Sequence, residues 1–169
     1  MFSVEIPAQY SLKFTGAADM GPGDVIMQVS SILREKGDTV YTIVPEAKVS
    51  TAVARLRELG VGALVVSRNG VTVEGIVSER DIVQGLAEQG GDLLGAPVAW
   101  IMTARVLSCR RTDSVADIMA NMTRHRIRHV PVIENDRLAG MISIGDVVKS
   151  RLDEVSHEAA ALRDYIAHT

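Results

Sequence analysis

The chain reads VYTIVPEAKVSTAVARLRELGVGALVVSRNGVTVEGIVSERDIV over residues 40–83 and VLSCRRTDSVADIMANMTRHRIRHVPVIENDRLAGMISIGDVV over residues 106–148, and the two stretches align with each other. Matching residues lie 66 positions apart at the start of the stretches. After one extra residue in the first stretch they lie 65 apart, as Asp81 and Asp146 do. A repeat at nearly fixed spacing indicates a fold built from two copies of one unit.

Both copies predict the same order of elements, β-α-β-β-α. The first helix of each copy has apolar residues at the spacing of one helical face. These are Val49, Ala52, Val53, Leu56 and Leu59 in the first copy and Val115, Ile118, Met119 and Met122 in the second. A unit of about 45 residues has too little core to stand alone, so we expect the two copies to pack together. The predicted fold class is therefore α/β (α+β), with pseudo-twofold symmetry.

The strands are predicted from short β-rich runs that are separated by turn residues. Asn69-Gly70 and Asn135-Asp136 lie between paired runs and tolerate positive φ, which is typical of a hairpin turn. The predicted strands of the first copy are Val40–Val44, Ala63–Val66 and Thr72–Val77, and those of the second are Val106–Cys109, Val130–Ile133 and Leu138–Ile142.

The segments outside the repeats differ in character. We expect a flexible arm over residues 1–24 and a lead-in helix over Asp24–Lys36. The predicted domains are an arm with its lead-in helix at 1–35, the first repeat at 36–89, a connector at 90–104, the second repeat at 105–152 and a carboxyl-terminal helix at 153–169. In that last region apolar residues step alternately by four and three, the pattern of a packed helical seam: Val148, Leu152, Val155, Ala159, Leu162 and Ile166. The seam predicts either a homodimer contact or docking on the protein's own body.

Composition excludes several classes of protein. A net charge of -3 favours neither nucleic acid nor an anionic membrane as a partner. No apolar run approaches the roughly 18 residues that span a bilayer, and the amino terminus lacks the pattern of a signal peptide. Cys109 is the only cysteine and is expected in the core. These features predict a cytoplasmic protein.

Each copy ends in a similar motif, GIVSERD at residues 75–81 and GMISIGD at residues 140–146. In both, a strand runs into the start of a helix, with Ser at the junction and Asp three residues later. Free N–H groups at a helix start favour an anion such as phosphate, and a carboxylate can accept hydrogen bonds from the two hydroxyls of a ribose. Ser-x-x-Asp also resembles a capping box, which would repeat for structural reasons alone.

These motifs, with GALVV at residues 62–66 and RHVPV at residues 128–132, resemble the cystathionine-β-synthase (CBS) domain. The resemblance covers roughly residues 36–151 and is to stand-alone bacterial proteins that contain a pair of these domains, a Bateman module. It implies clefts between the copies that hold AMP, ADP, ATP or NAD(H). Phosphate contacts would fall on Ser78 and Ser143, and ribose contacts on Asp81 and Asp146.

The resemblance also implies that each cleft takes its other wall from the opposite copy. The Asp81 cleft would then face Arg128 and His129, with Arg80 beside it, and would be the better site for ligands with more phosphate. The Asp146 cleft would face Gly62 and Ala63. Thr42 and Ser108 stand where the family often contacts the base or the phosphate. Lys36, just before the first copy, is either a phosphate contact or an ordinary surface lysine. His129, at an ordinary pKa near 6.5, would strengthen phosphate binding as pH falls. Arg111 stands where the first copy has Pro45, and Val65 where the second has Pro131, which weakens detailed adenine assignments.

The sequence therefore predicts a homodimeric sensor that binds an adenine nucleotide and acts on a downstream protein that the sequence does not identify. The alternative is a scaffold without a nucleotide, in which both motifs are caps. An enzyme is not expected, because no general base, nucleophile or metal-ligand set accompanies either motif. Neither a catalytic cofactor nor a metal is expected.

Overall fold

The computed structural model describes residues 12–13 and 27–167 of the 169-residue chain. The predicted flexible arm at 1–24 therefore lies outside the described residues, apart from Leu12–Lys13. No helix in the described part of the chain is long and apolar enough to cross a membrane.

The helices and strands follow the predicted order in both copies. The helices are α1 (Val29–Lys36), α2 (Val49–Leu59), α3 (Glu79–Gln89), α4 (Val115–His125) and α5 (Ile144–Ala167). The strands are β1 (Leu12–Lys13), β2 (Thr42–Ile43), β3 (Ala63–Val66), β4 (Gly75–Ser78), β5 (Leu107–Ser108), β6 (His129–Glu134) and β7 (Arg137–Ser143). The connector contains two short 3-10 helices, Gly90–Gly95 and Val98–Trp100.

The sheets of the two copies have matching topologies. In the first copy β2 lies parallel to β3, and β3 pairs with β4 in antiparallel fashion. In the second copy β6 and β7 form the antiparallel pair, and a parallel bridge from Cys109 to Val132 places β5 beside β6. The short strand β1 pairs with the other edge of β5. Two related mixed α/β units therefore form the fold, as predicted.

The hairpin of the first copy differs from the prediction, because β4 begins at Gly75 and not at Thr72. The Asn69 side chain accepts hydrogen bonds from the N–H groups of Val71 and Thr72, both at 2.8 Å, and Glu74 accepts one from the Arg68 N–H at 2.8 Å. These side chains satisfy the backbone in place of a strand ladder. In the second copy Asn135 and Asp136 do form the predicted two-residue turn, with φ of 49° and 60°.

The lead-in segments are exchanged between the copies. Helix α1 precedes the first copy but packs into the core of the second, where Val29, Ile32 and Leu33 are buried against residues of α4, β6 and β7. In the same way the connector precedes the second copy but packs into the core of the first, through Leu93 and Val98. Each copy is therefore completed by the segment that introduces the other.

Backbone hydrogen bonds repeat this exchange at equivalent positions. Val29 N–H donates to the Asp113 carbonyl at 3.0 Å, and Val98 N–H donates to the Ala47 carbonyl at 2.8 Å. Close packing repeats as well. A Cβ added at Gly140 would lie 2.9 Å from Leu33, and one added at Gly75 would lie 2.8 Å from Met102. Matched pairs of this kind show that the pseudo-twofold symmetry includes the lead-in segments.

Helix α5 is continuous from Ile144 to Ala167, so the predicted boundary at 152/153 falls inside one helix. No glycine or proline follows Gly145 in this region, and nothing in the sequence ends the helix earlier. The predicted lead-in helix starts at Val29, five residues later than Asp24. Four apolar residues of the predicted seam are exposed: Val148, Leu152, Val155 and Ile166.

Candidate functional site

Both Ser-x-x-Asp motifs form helix caps. Asp81 Oδ2 accepts hydrogen bonds from the Ser78 N–H at 2.8 Å and from the Ser78 hydroxyl at 2.6 Å. Ser78 Oγ in turn accepts a longer bond from the Asp81 N–H at 3.4 Å. Asp146 and Ser143 repeat this arrangement at the start of α5. The capping interpretation is therefore correct for both motifs, and it leaves open whether either motif also binds a ligand.

The Asp81 motif faces a cavity of about 370 Å³ between the two copies. One wall comes from the start of α3, including Ser78, Arg80 and Asp81. The opposite wall comes from the second copy, between the end of α4 and the start of β6, where His125, Arg126, Ile127, Arg128 and His129 lie. The predicted grouping of Asp81 with Arg128 and His129 is thus present. Its charges are arranged as a cationic wall opposite a carboxylate.

The start of α3 offers fewer free N–H donors than the sequence suggests. Glu79 N–H already donates to the Gly62 carbonyl at 3.1 Å, and the N–H groups of Ser78 and Asp81 are used in the cap. An anion in this cavity would therefore depend mainly on the guanidinium groups opposite. Arg80 reaches across to that wall, where its Nη1 donates to the Arg126 carbonyl at 3.0 Å.

Gly62 lines the Asp81 cavity, and its contact with the Asp146 cleft stays a prediction. The reason that Gly62 lies in this lining is the strand register, since Ala63 pairs with Ser78 and the residue before it must lie beside the start of α3. A Cβ at Gly62 would lie 3.2 Å from the His129 ring and 3.6 Å from a Glu79 oxygen. The absence of a side chain at this position makes room for the imidazole of the opposite copy.

His129 occupies a largely buried position between the two motifs. Burial lowers its pKa below the usual 6.5, while the negative charges of Asp146 and Glu79 act in the opposite direction. The positive charges of Lys36 and Arg128 lower the pKa further. The expectation of an ordinary pKa for His129 is therefore wrong, because the charged form loses water contacts in the fold.

The Asp146 motif faces a cation of the protein itself. Lys36, at the carboxyl end of α1, donates from Nζ to Asp146 Oδ2 at 2.7 Å. Partial burial opposes ionisation of Asp146, but hydrogen bonds from Lys36 and Ser143 outweigh burial and lower the pKa of this carboxyl. The predicted phosphate contact at Lys36 is thus occupied by an ion pair with the predicted ribose contact.

Three further predicted contacts, Thr42, Ala63 and Ser108, are not among the residues that line the Asp81 cavity. Thr42 pairs with Val65 in the sheet, Ser108 is buried in β5, and Ala63 packs with Ile76 and Val106 between the copies. Other lining residues were missed by sequence reasoning: Ile76, Glu79, Gln84, Thr103 and Val106. Ile76 and Gln84 lie in the strand and the helix on either side of the Asp81 motif, so their proximity to the site could have been inferred from the predicted elements. Thr103, in the connector, carried no such signal.

Cys109 is a core residue, as predicted. It is 2% exposed, and burial together with the nearby Asp113 carboxylate raises the pKa of its thiol to about 12. Such a thiol is protonated at neutral pH and is a poor nucleophile. Helix α4 ends at His125 and β6 begins at His129, so these two histidines do not share a helical face.

A CBS domain profile matches residues 29–88 and 98–153. A CBS-domain-containing protein from Agrobacterium tumefaciens has a crystal structure that is 43% identical and superposes with a TM-score of 0.72, over 74% of this chain and 99% of that one. The mitochondrial CBS domain-containing protein CBSX3 of Arabidopsis thaliana is 33% identical, over 82% of this chain and 71% of its own. A CBS domain protein from Pyrobaculum aerophilum, whose structure is in complex with AMP, is 29% identical with a TM-score of 0.63, over 71% of this chain and 89% of that one.

Proposed function

This chain belongs to the CBS domain family, and on that premise we propose that it is a regulatory module that binds an adenine mononucleotide at the Asp81 cavity. The carrying observation is that Asp81 and the segment 126–129, from opposite copies, line one cavity. A ligand there contacts both copies at once. Binding would therefore favour one relative arrangement of the copies, provided that its affinity differs between arrangements.

The chemistry of the cavity supports this class of ligand. All described hydrogen bonds to the Asp81 carboxylate go to Oδ2, so Oδ1 is available to accept from a ribose diol. The phosphate would lie toward Arg126 and Arg128, whose guanidinium groups form strong charge-assisted hydrogen bonds. A volume of about 370 Å³ is near the lower end for small-molecule sites. The AMP complex of the Pyrobaculum relative supports the same class.

The test is thermal melting with a panel of AMP, ADP, ATP, NAD(H) and S-adenosylmethionine. At a hundredfold excess over Kd, a ligand stabilises the fold by about 2.7 kcal/mol. We expect stabilisation by the mononucleotides and its loss in Asp81→Asn, which retains an acceptor for the cap but removes the charge. Asp117→Asn is the matched control, since Ser114-x-x-Asp117 also starts a helix but lies away from the cavity.

The scaffold alternative is favoured by the complete caps at both motifs. It predicts that no nucleotide changes the melting temperature and that Asp81→Asn and Asp117→Asn behave alike.

If a nucleotide does stabilise the wild type, Arg128→Ala should weaken the binding of ATP more than the binding of AMP. Arg124→Ala, on the exposed end of α4, should weaken neither.

We also propose that the chain is a homodimer whose contact includes α5. The exposed apolar residues of that helix support this proposal, together with Val83 on α3, which is 65% exposed and occupies the position that matches Val148. Apolar residues exposed at matching positions of the two copies are suited to a symmetric contact between two chains.

A further inference from the structure

We propose that Lys36 determines which of the two clefts accepts a nucleotide, by closing the Asp146 motif with an internal ion pair. This inference rests on the proposed function of the Asp81 cavity and extends it. The two motifs have equivalent caps, but Asp81 lines the cavity between the copies and Asp146 does not. Asp81 lines that cavity and forms no ion pair with any described residue.

The ion pair competes directly with a ribose. Asp146 Oδ2 accepts from the Ser143 N–H at 2.7 Å, the Ser143 hydroxyl at 2.8 Å and Lys36 Nζ at 2.7 Å. A nucleotide that approached this carboxylate would have to displace the ammonium group. Displacement leaves a partly buried charge without its partner, because the side chains of Lys36 and Asp146 are only 34% and 25% exposed.

Lys36 is held in place by the fold and not only by its charge. Helix α1 is anchored in the core of the second copy by Val29, Ile32 and Leu33. A second ion pair, from Lys149 on α5 to Glu35, joins the same two helices. The positive Lys36 lies in the last turn of α1 and the negative Asp146 in the first turn of α5, so each charge also suits its helix dipole.

The residues that follow the capping serine also favour ligand binding at the Asp81 motif over the Asp146 motif. Glu79 and Arg80 follow Ser78, whereas Ile144 and Gly145 follow Ser143. The Asp146 cleft therefore lacks the polar groups that line the Asp81 cavity on its own copy. The chain thus has one cavity with ligand-binding groups and a second motif whose carboxylate is already paired.

Calorimetric titration with AMP tests the proposal through stoichiometry. We expect one nucleotide per wild-type chain and two per Lys36→Met chain, since methionine keeps the apolar stem and removes the charge. The added site should disappear in the Lys36→Met, Asp146→Ala double variant. Lys36→Arg, which retains an ion pair, and Lys149→Gln, which removes only the neighbouring pair, should both bind one. Melting curves show whether each variant is folded.

Each outcome has a separate meaning. Two nucleotides per wild-type chain would overturn the role of Lys36. So would a folded Lys36→Met chain that binds one nucleotide when the wild type also binds one. No binding to the wild type but one nucleotide on Lys36→Met would support the closed cleft and contradict the proposed Asp81 site. No binding to either chain would contradict both proposals.

Discussion

His129 makes the cavity sensitive to pH at the scale of a single residue. Its pKa is lower in the fold than in the unfolded chain, because burial disfavours the imidazolium. The unfolded chain therefore binds this proton more tightly, so the contribution of His129 to stability is lost as pH falls below about 6.5. Above that pH both states are neutral and the contribution is constant.

A bound phosphate should reverse part of this shift. A negative charge near His129 favours the imidazolium, so we expect AMP binding to take up a proton and to strengthen as pH falls from 7.5 toward 6. If the complex raises the pKa by one unit, the gain in affinity approaches about tenfold only at a pH below both pKa values, and it is smaller between pH 7.5 and 6. Calorimetry in buffers of different ionisation enthalpy measures the proton uptake. His129→Gln should show only the titration of the nucleotide itself, and an equal uptake in that variant would contradict the prediction.

The resemblance to CBS domains implied that residues of opposite copies face each other, and Ser78, Arg80, Asp81, Arg128 and His129 do line one cavity. Two properties of the site were not predicted, the lowered pKa of His129 and the ion pair of Lys36. The pKa of His129 depends on burial, which a sequence without an alignment does not show. The ion pair of Lys36 with Asp146 joins residues 110 positions apart and required the packing of α1 to be known.

At the scale of the elements, the docking of α1 depends on close contact with β7. A Cβ at Gly140 would lie 2.9 and 3.0 Å from the two terminal carbons of Leu33, which is itself buried. Gly140→Ala should therefore destabilise the protein by about 1–3 kcal/mol, the usual cost of overpacking. Chemical denaturation measures the change. Gly91→Ala is the control, because nothing lies within 4 Å of its added carbon, and equal losses in the two variants would argue against a packing origin.

A hydrophobic period predicts the bounds of a helix but not the element against which the helix packs. The apolar face of α2 predicted its bounds of Val49–Leu59. The period of α1 indicates a buried face but not the partner, and the partner proved to be the copy farther away in sequence. The extra length of the loop before Gly75 came from side-chain hydrogen bonds to the backbone, which the Asn69-Gly70 signal alone did not reveal.

At the scale of the whole molecule, the exposed seam on α5 sets an expectation for assembly. We expect a dimer at micromolar concentration, because Leu152, Val155 and Ile166 are exposed on one long helix. Light scattering measures the mass, and Leu152→Glu with Val155→Glu should yield a monomer that is still folded, as a cooperative melting curve would show. A wild-type monomer would contradict the dimer, and a dimer that persists in the double variant would remove α5 from the contact.

The exchanged lead-in segments also decide where an external force would act. Strand β1 pairs with β5, α1 packs beside β7, and α5 continues from the second copy. A tether fixed before α1 and another fixed beyond α5 would therefore both pull on the second copy. The first copy is joined covalently to the second copy only by the loop after α1 and by the connector. A nucleotide bound at Asp81 would contact both copies and so add a further link between them. Any change in how firmly the first copy is held would therefore reach the tethers through the second copy.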